Sequence, residues 1–286
     1  MMSEPIKRAA EIEEPSNLYV IHPLSAWIVP YCARAGITPN QLSLAGMGCG
    51  IAAGVAYHFY PHTWCVLLGF ALMFIWHVLD GADGQLARYT GNFSAFGKIV
   101  DGICDYVTFA AVYIGLALTL ARFHGGWVWG IAILAGLCHA VQSAAYELQR
   151  QYYNAYGLER KSAALPDLDA PAPPGAAAWL NRAYTRAQLL IAGDAARFHA
   201  RFAAALAAKP DEAGTLRARY CAAFAPSIRH WALLSANMRT LAIFLFALAG
   251  VPLAYFLFEI FGLTVLLVWL LAGQQPRYEA FFSETV

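Results

Sequence analysis

The sequence predicts an all-α integral membrane protein: a bundle of six transmembrane helices with an N-terminal interfacial helix and a cytoplasmic helical insertion. Three observations carry this. Hydrophobic residues make up 59% of the chain and charged residues 13%, against about 25% charged in soluble domains. Mean hydropathy is +0.49. The apolar residues also fall into runs near the ~20 residues that a bilayer core requires. The net charge of +1 says nothing about partners, and no nucleic-acid-binding motif surrounds the basic residues.

Residues 1–40 read as an N-terminal arm with no apolar signal-peptide core, since Glu11, Glu13 and Glu14 interrupt it. Within it, Pro23–Ala35 carries Trp27, Ile28 and Tyr31 and reads as a short interfacial helix, with an ordered arm free of the membrane as the alternative. Spans are expected at 41–60, 64–86, 97–121 and 127–146, and then at 231–250 and 252–273. Pro39 suits the first turn of the first span. Pro61, the Gly125-Gly126 pair and the Gly250/Pro252 break mark the turns. Arg122 is the one Lys or Arg in the turns near 61–63, 122–126 and 251. By the positive-inside rule both termini and 147–230 then face the cytoplasm, while Tyr57, Tyr60, Trp64, Trp127 and Trp129 form an outer aromatic belt. The insertion 147–230 contains a Pro/Ala/Asp-rich linker at 167–175. An Ala-rich helical stretch follows at 176–208, with Arg182, Arg186, Arg197 and Arg201 and a break near Gly193. Pro210-Asp211-Glu212 opens a further helix, which suggests a helical hairpin. Its arginines could face anionic lipid headgroups or simply solvent. The tail after the last span ends the region 231–286.

The chemistry lies in 80–105. Asp80 and Asp83 are i, i+3 on one helix face, and Gly97, Asp101 and Asp105 step by four along another. Acids at the ends of membrane spans are costly and mark function. Two facing helices would gather all four, and such a cluster needs cations to stay ionised. An all-oxygen donor set suits hard divalent ions such as Mg²⁺ or Mn²⁺. The histidines show no zinc-binding spacing, and the six cysteines form no C-x-x-C pair and read as inert apolar residues. His77 and His139 could support a metal site or be satisfied core residues. Arg239 lies inside the fifth expected span and needs a partner. It should face a cavity or pair with a partner such as Glu259 of the next span.

These residues compose D-x2-D-G-x2-A-R-x8-G-x3-D-x3-D, with Asp80, Asp83, Gly84, Ala87, Arg88, Gly97, Asp101 and Asp105 at its fixed positions. The pattern resembles the signature of the CDP-alcohol phosphotransferases, and Gly36-Ile37-Thr38-Pro39-Asn40 is similar to that family's N-terminal region. The long 147–230 segment departs from its smaller members. The resemblance implies a two-metal phosphotransferase that releases CMP. Asp80, Asp83, Asp101 and Asp105 would bind two Mg²⁺ or Mn²⁺ ions, and Asp105 would be the general base. Gly84, Ala87 and Arg88 would receive the CDP moiety, with Gly97 letting the two helices approach. The expected donor is CDP-diacylglycerol and the expected acceptor a polar, optionally phosphorylated, alcohol; in family members with phosphorylated acceptors basic residues hold that phosphate, a part that Arg239, with Arg150, could play here. A CDP-choline-type donor with a lipid acceptor is the alternative, and a non-catalytic transporter or assembly subunit is the alternative of another class. Expected partners are the CDP-linked lipid, the alcohol and membrane lipids, with a second copy of the chain as an option and no nucleic acid. The expected location is the cytoplasmic membrane, with the site facing the cytoplasm.

Overall fold

In the computed structural model, residues 11–92, 95–160 and 193–283 are described, with isolated positions between 163 and 189. The Asp167–Gly175 linker and most of the Ala-rich stretch up to 192 lie outside the described residues, as do residues 1–10. Every regular element among the described residues is helical. They are α1 (His22–Arg34), α2 (Pro39–His58), α3 (Thr63–Thr90), α4 (Ala95–His124), α5 (Val128–Tyr152), α6 (Asp194–Ala208), α7 (Ala213–Trp231), α8 (Ala236–Leu248), α9 (Pro252–Leu257) and α10 (Leu263–Ser283). The chain divides into two compact units: Met1–Cys138 with Ala236–Gly262, and His139–Ser235 with Leu263–Val286.

Five described helical segments are long and apolar enough to cross a membrane: Thr63–Thr90, Val100–His124, Val128–Gly157, Pro210–Leu248 and Pro252–Ser283. Six spans are thus not confirmed, and five candidates stand among the described residues. The expected first span is helical, as α2, but Gln41, Ser43 and four glycines dilute its hydropathy. The expected fifth span is not one straight helix either. A 3₁₀ turn at Ala232–Leu234 and an extended Ser235 interrupt it. The part that follows, α8, has 13 residues, about 20 Å and less than a ~30 Å hydrocarbon core. Side chains such as Ile133, Leu137, Val265 and Val268 stay exposed, as suits helices whose solvent is lipid.

In the first unit, α2 starts with a capping box. The Thr38 N–H donates to Gln41 Oε1 at 2.8 Å and the Gln41 N–H donates to Thr38 Oγ1. Pro39 occupies the first helical turn, where a missing N–H is harmless. Along α2, glycine serves packing. A Cβ on Gly54 would stand 2.4 Å from the Ala111 carbonyl oxygen, and one on Gly115 would stand 2.0 Å from the Gly54 carbonyl oxygen. Helices α2 and α4 thus touch backbone to backbone, as small residues allow in membrane bundles. Tyr57 of α2 lies over Gly69 of α3, so α2 packs on both site helices.

The same unit encloses an ion pair. Arg239 Nε donates to Glu259 Oε1 at 3.0 Å, and both side chains are fully buried. Tyr255 Oη donates to Glu259 Oε2 at 2.9 Å, and the Tyr113 and Tyr255 hydroxyls lie 2.8 Å apart. Glu259 sits in a π-helical turn, Phe258–Gly262, between α9 and α10. Such turns shift the register of a helix by one residue and frequently mark special sites.

The second unit contains the helical part of the insertion. Here α6 and α7 are joined by Lys209 and a 3₁₀ turn at Pro210–Glu212. Their core is aromatic. His199 stacks on Tyr152 with ring centroids 4.0 Å apart and on Tyr156 at 5.0 Å. Phe198 stacks on Tyr278 of α10 at 4.4 Å. His199 Nδ1 lies 2.7 Å from the Ala195 carbonyl and Nε2 lies 2.8 Å from the Tyr220 hydroxyl. Burial pushes its pKa down to about 3, so His199 is neutral: Nδ1–H donates to the carbonyl and Nε2 accepts from Tyr220. Arg150 is held by Glu147 through Nε at 2.9 Å and Nη2 at 3.0 Å.

Candidate active site

The acid-bearing ends of α3 and α4 are joined by a turn that starts at Gly91, whose φ of 69° is the left-handed conformation glycine adopts without strain. One carboxylate oxygen from each of Asp80, Asp101 and Asp105 falls within 4.8 Å of the others. Asp83 is close enough to feel the charges of Asp80 and Asp101, but the group that could share one ion is Asp80, Asp101 and Asp105. Asp83 instead accepts a hydrogen bond from the Ser43 hydroxyl of α2.

A divalent cation fits this donor set. Asp105 Oδ1 is buried and has no hydrogen-bond partner among the described residues, an arrangement that is costly unless a cation or a proton completes it. Like charges at these distances repel unless neutralised, and hard cations prefer all-oxygen ligands.

Arg88 folds back over Gly84. Its Nη1 would lie 3.6 Å from a Cβ added there, so the bare glycine leaves room beside the guanidinium. Ala87 and Arg88 are partly exposed, while Gln85 and Leu86 point into the protein. The opposite face of α3 is fixed by α1. Ser25 Oγ donates to the Val78 carbonyl at 2.7 Å, and Gln85 Nε2 donates to the His22 carbonyl at 3.3 Å. These bonds lie just before and just after Asp80 and Asp83, and so hold the rotation of α3.

Other expected residues fall elsewhere. His77 is buried and lies 2.9 Å from the Thr240 hydroxyl, which ties α3 to α8 within the first unit. Arg239 is enclosed with Glu259, the pairing expected as its alternative, and this leaves it no exposed donor for a phosphate. Two residues near the acids were not singled out from the sequence. Ser43 fixes Asp83. Thr108, one turn beyond Asp105, is fully buried against Gly50, and its hydroxyl has no partner among the described residues. A single hydroxyl in an apolar run gives no periodic signal that could have marked either.

The profile of the CDP-alcohol phosphatidyltransferase family matches residues 36–165. That interval contains the three converging acids, Asp83 and the Arg88–Gly84 contact. Residues 36–165 form a domain of the CDP-alcohol phosphatidyltransferase family. Among relatives, archaetidylinositol phosphate synthase of Pyrococcus horikoshii is 36% identical over 103 residues, which are 36% of this chain and 50% of that protein. Cholinephosphotransferase 1 of Mus musculus is 30% identical over 126 residues, 41% of this chain and 30% of that protein. The chain thus spans half the length of the first relative and less of the second. The crystal structure of Mycobacterium tuberculosis phosphatidylinositol phosphate synthase in complex with manganese and citrate is similar at 20% identity and a TM-score of 0.35. That likeness covers 58% of this chain and 83% of that one, a level that does not establish a shared fold.

Proposed function

We propose that this protein is a membrane transferase of phospholipid synthesis. It moves the phosphatidyl group of CDP-diacylglycerol to a polar alcohol and releases CMP. The observation that carries the reading is the convergence of Asp80, Asp101 and Asp105, with one buried Asp105 oxygen unpaired among the described residues, inside a CDP-alcohol phosphatidyltransferase domain.

In this mechanism the acceptor hydroxyl attacks the phosphorus that carries the diacylglycerol. A new P–O bond forms, the P–O bond to CMP breaks, and the hydroxyl proton passes to the Asp105 carboxylate. Asp80, Asp83, Asp101 and Asp105 would hold two Mg²⁺ or Mn²⁺ ions, whose chemistry is to neutralise the pyrophosphate and the leaving phosphate. Ser43 orients Asp83 by donating to it. Arg88 offers a planar fork to the pyrophosphate oxygens, and Gly84 and Ala87 keep the adjoining helix face free for the cytidine. Arg239 is not part of this site, because a fully buried, paired guanidinium has no donor left to present to solvent.

The same residues would serve a CDP-linked small alcohol with a lipid acceptor. Purified protein given CDP-diacylglycerol, Mn²⁺ and a panel of polar alcohols, phosphorylated ones included, should yield CMP together with a lipid whose mass identifies the alcohol. CMP formed only from CDP-choline or CDP-ethanolamine and diacylglycerol would reverse the donor assignment. No CMP from either donor class would reject the transferase reading in favour of a non-catalytic protein.

A further inference from the structure

We propose that a cleft between α7 and α10, in the second unit and distinct from the aspartate site, binds a phospholipid with an anionic headgroup. The cleft is lined by Ser227 and His230 of α7 and by Trp269, Leu270, Gly273 and Arg277 of α10.

The register of α10 matches an amphiphile. Val265, Trp269, Gly273 and Arg277 step by four, so each neighbours the next and together they make a stripe that winds slowly round the helix. Its first two members are apolar and exposed, Val265 at 68% and Trp269 at 60%. Next comes a glycine whose missing side chain leaves open space, since an added Cβ would meet nothing within 4 Å. The stripe ends in an exposed arginine with no ion-pair partner among the described residues. From Val265 to Arg277 the stripe runs about 18 Å at ~1.5 Å per residue, enough for an acyl chain below and a phosphate above.

The level of the cleft fits a headgroup. On α10 the apolar run ends at Ala272 and gives way to Gln274 and Gln275. On α7 the polar stretch ends at Arg229 and His230, and Trp231 begins an apolar run. Both helices thus change from apolar to polar at the cleft, which is where tryptophan and arginine collect at a membrane surface. His230 uses Nδ1 on the Pro226 carbonyl at 2.8 Å, which leaves Nε2 for a second partner. Its ring meets that of Trp269 nearly edge-on, at 6.4 Å and 79°. Leu270 packs with buried Trp231 and Leu234 and so forms a fixed back wall. The continuity of apolar stripe and cation selects a lipid over a free phosphate, whose oxygens would use Arg277 and His230 alone.

The test uses the full chain in detergent and native mass spectrometry, titrating dioctanoyl phosphatidylglycerol, dioctanoyl phosphatidylcholine and glycerol phosphate. Phosphatidylglycerol should bind more tightly than the other two. Arg277→Ala should weaken it about tenfold or more, as for loss of a charge-assisted contact. Arg277→Lys should recover part of that loss, and Trp269→Ala should weaken the lipid but not glycerol phosphate. Lipid held at an aspartate site would not respond to Arg277, so failure of the transferase reading and failure of this one are separable. Arg277 is exposed, and an unchanged melting temperature in Arg277→Ala shows the fold intact. Equal phosphatidylglycerol affinity in wild type and Arg277→Ala would overturn the proposal. So would equal affinity for phosphatidylcholine. Glycerol phosphate binding as tightly as the lipid would identify a soluble phosphate site instead.

Discussion

Removing Arg239 tests whether its role is structural. The guanidinium and the Glu259 carboxylate are both fully buried at 3.0 Å, and Tyr255 donates to the second carboxylate oxygen. Arg239→Ala leaves Glu259 charged and enclosed, a change that costs about 3–5 kcal/mol in buried pairs. The arginine's own contacts with the core are lost as well. With roughly 2 °C or more per kcal/mol for a chain of this size, the melting temperature in detergent should fall by on the order of 10 °C. Glu259→Gln should do the same, because it strands the cation. The double variant Arg239→Met/Glu259→Gln should recover part of the loss, since a neutral amide and an apolar chain replace the pair. The assay is thermal unfolding followed by intrinsic fluorescence, run beside CMP release at varied acceptor concentration. Stable Arg239→Ala protein with an acceptor KM raised 10- to 100-fold would refute the structural assignment and restore the phosphate-binding one.

Three further outcomes are expected. Gly54→Leu should strongly destabilise the protein in thermal unfolding, because even a Cβ would stand 2.4 Å from the Ala111 carbonyl, and overpacking costs about 1–3 kcal/mol before the larger side chain is counted; wild-type melting would refute the α2–α4 contact. His199 is held neutral with its pKa near 3 against 6.5 when free, so the unfolded chain binds the extra proton first and stability falls as pH drops below 6.5, by about 2 kcal/mol at pH 5. His199→Gln should remove that part of the pH dependence in denaturant melts from pH 7 to 5, and an unchanged slope would contradict the buried neutral ring. Asp105→Asn keeps the size but not the basicity of the side chain, so CDP-lipid binding should persist while turnover drops about 10²-fold or more; full turnover in this variant would remove Asp105 as the base.

The acid constellation was legible because helical periodicity is a strong rule. Steps of three and four on two neighbouring apolar runs predict convergence, and Asp80, Asp101 and Asp105 do converge. Helix α2 was legible as a helix but not as the glycine-rich element that packs on α3 and α4, because its glycines lower its hydropathy while enabling its contacts. The partner of Arg239 could be named from the sequence as Glu259, one of two readings, but the π-helical turn that presents this glutamate has no sequence signature. The aromatic core around His199 was missed for another reason. Its rings come from Tyr152, Tyr156, Tyr220 and Tyr278, far apart in sequence, and only tertiary packing gathers them. Ser43 was hidden likewise, since its significance lies in an oxygen 40 positions away.

The most direct test is metal-dependent CMP release from CDP-diacylglycerol and a polar alcohol by the purified protein. Turnover should stop in excess chelator and return with Mn²⁺ or Mg²⁺, and Asp80→Asn and Asp101→Asn should each raise the metal concentration needed for half-maximal rate. Undiminished CMP release in chelator, or metal dependence unchanged in both variants, would contradict the carboxylate site.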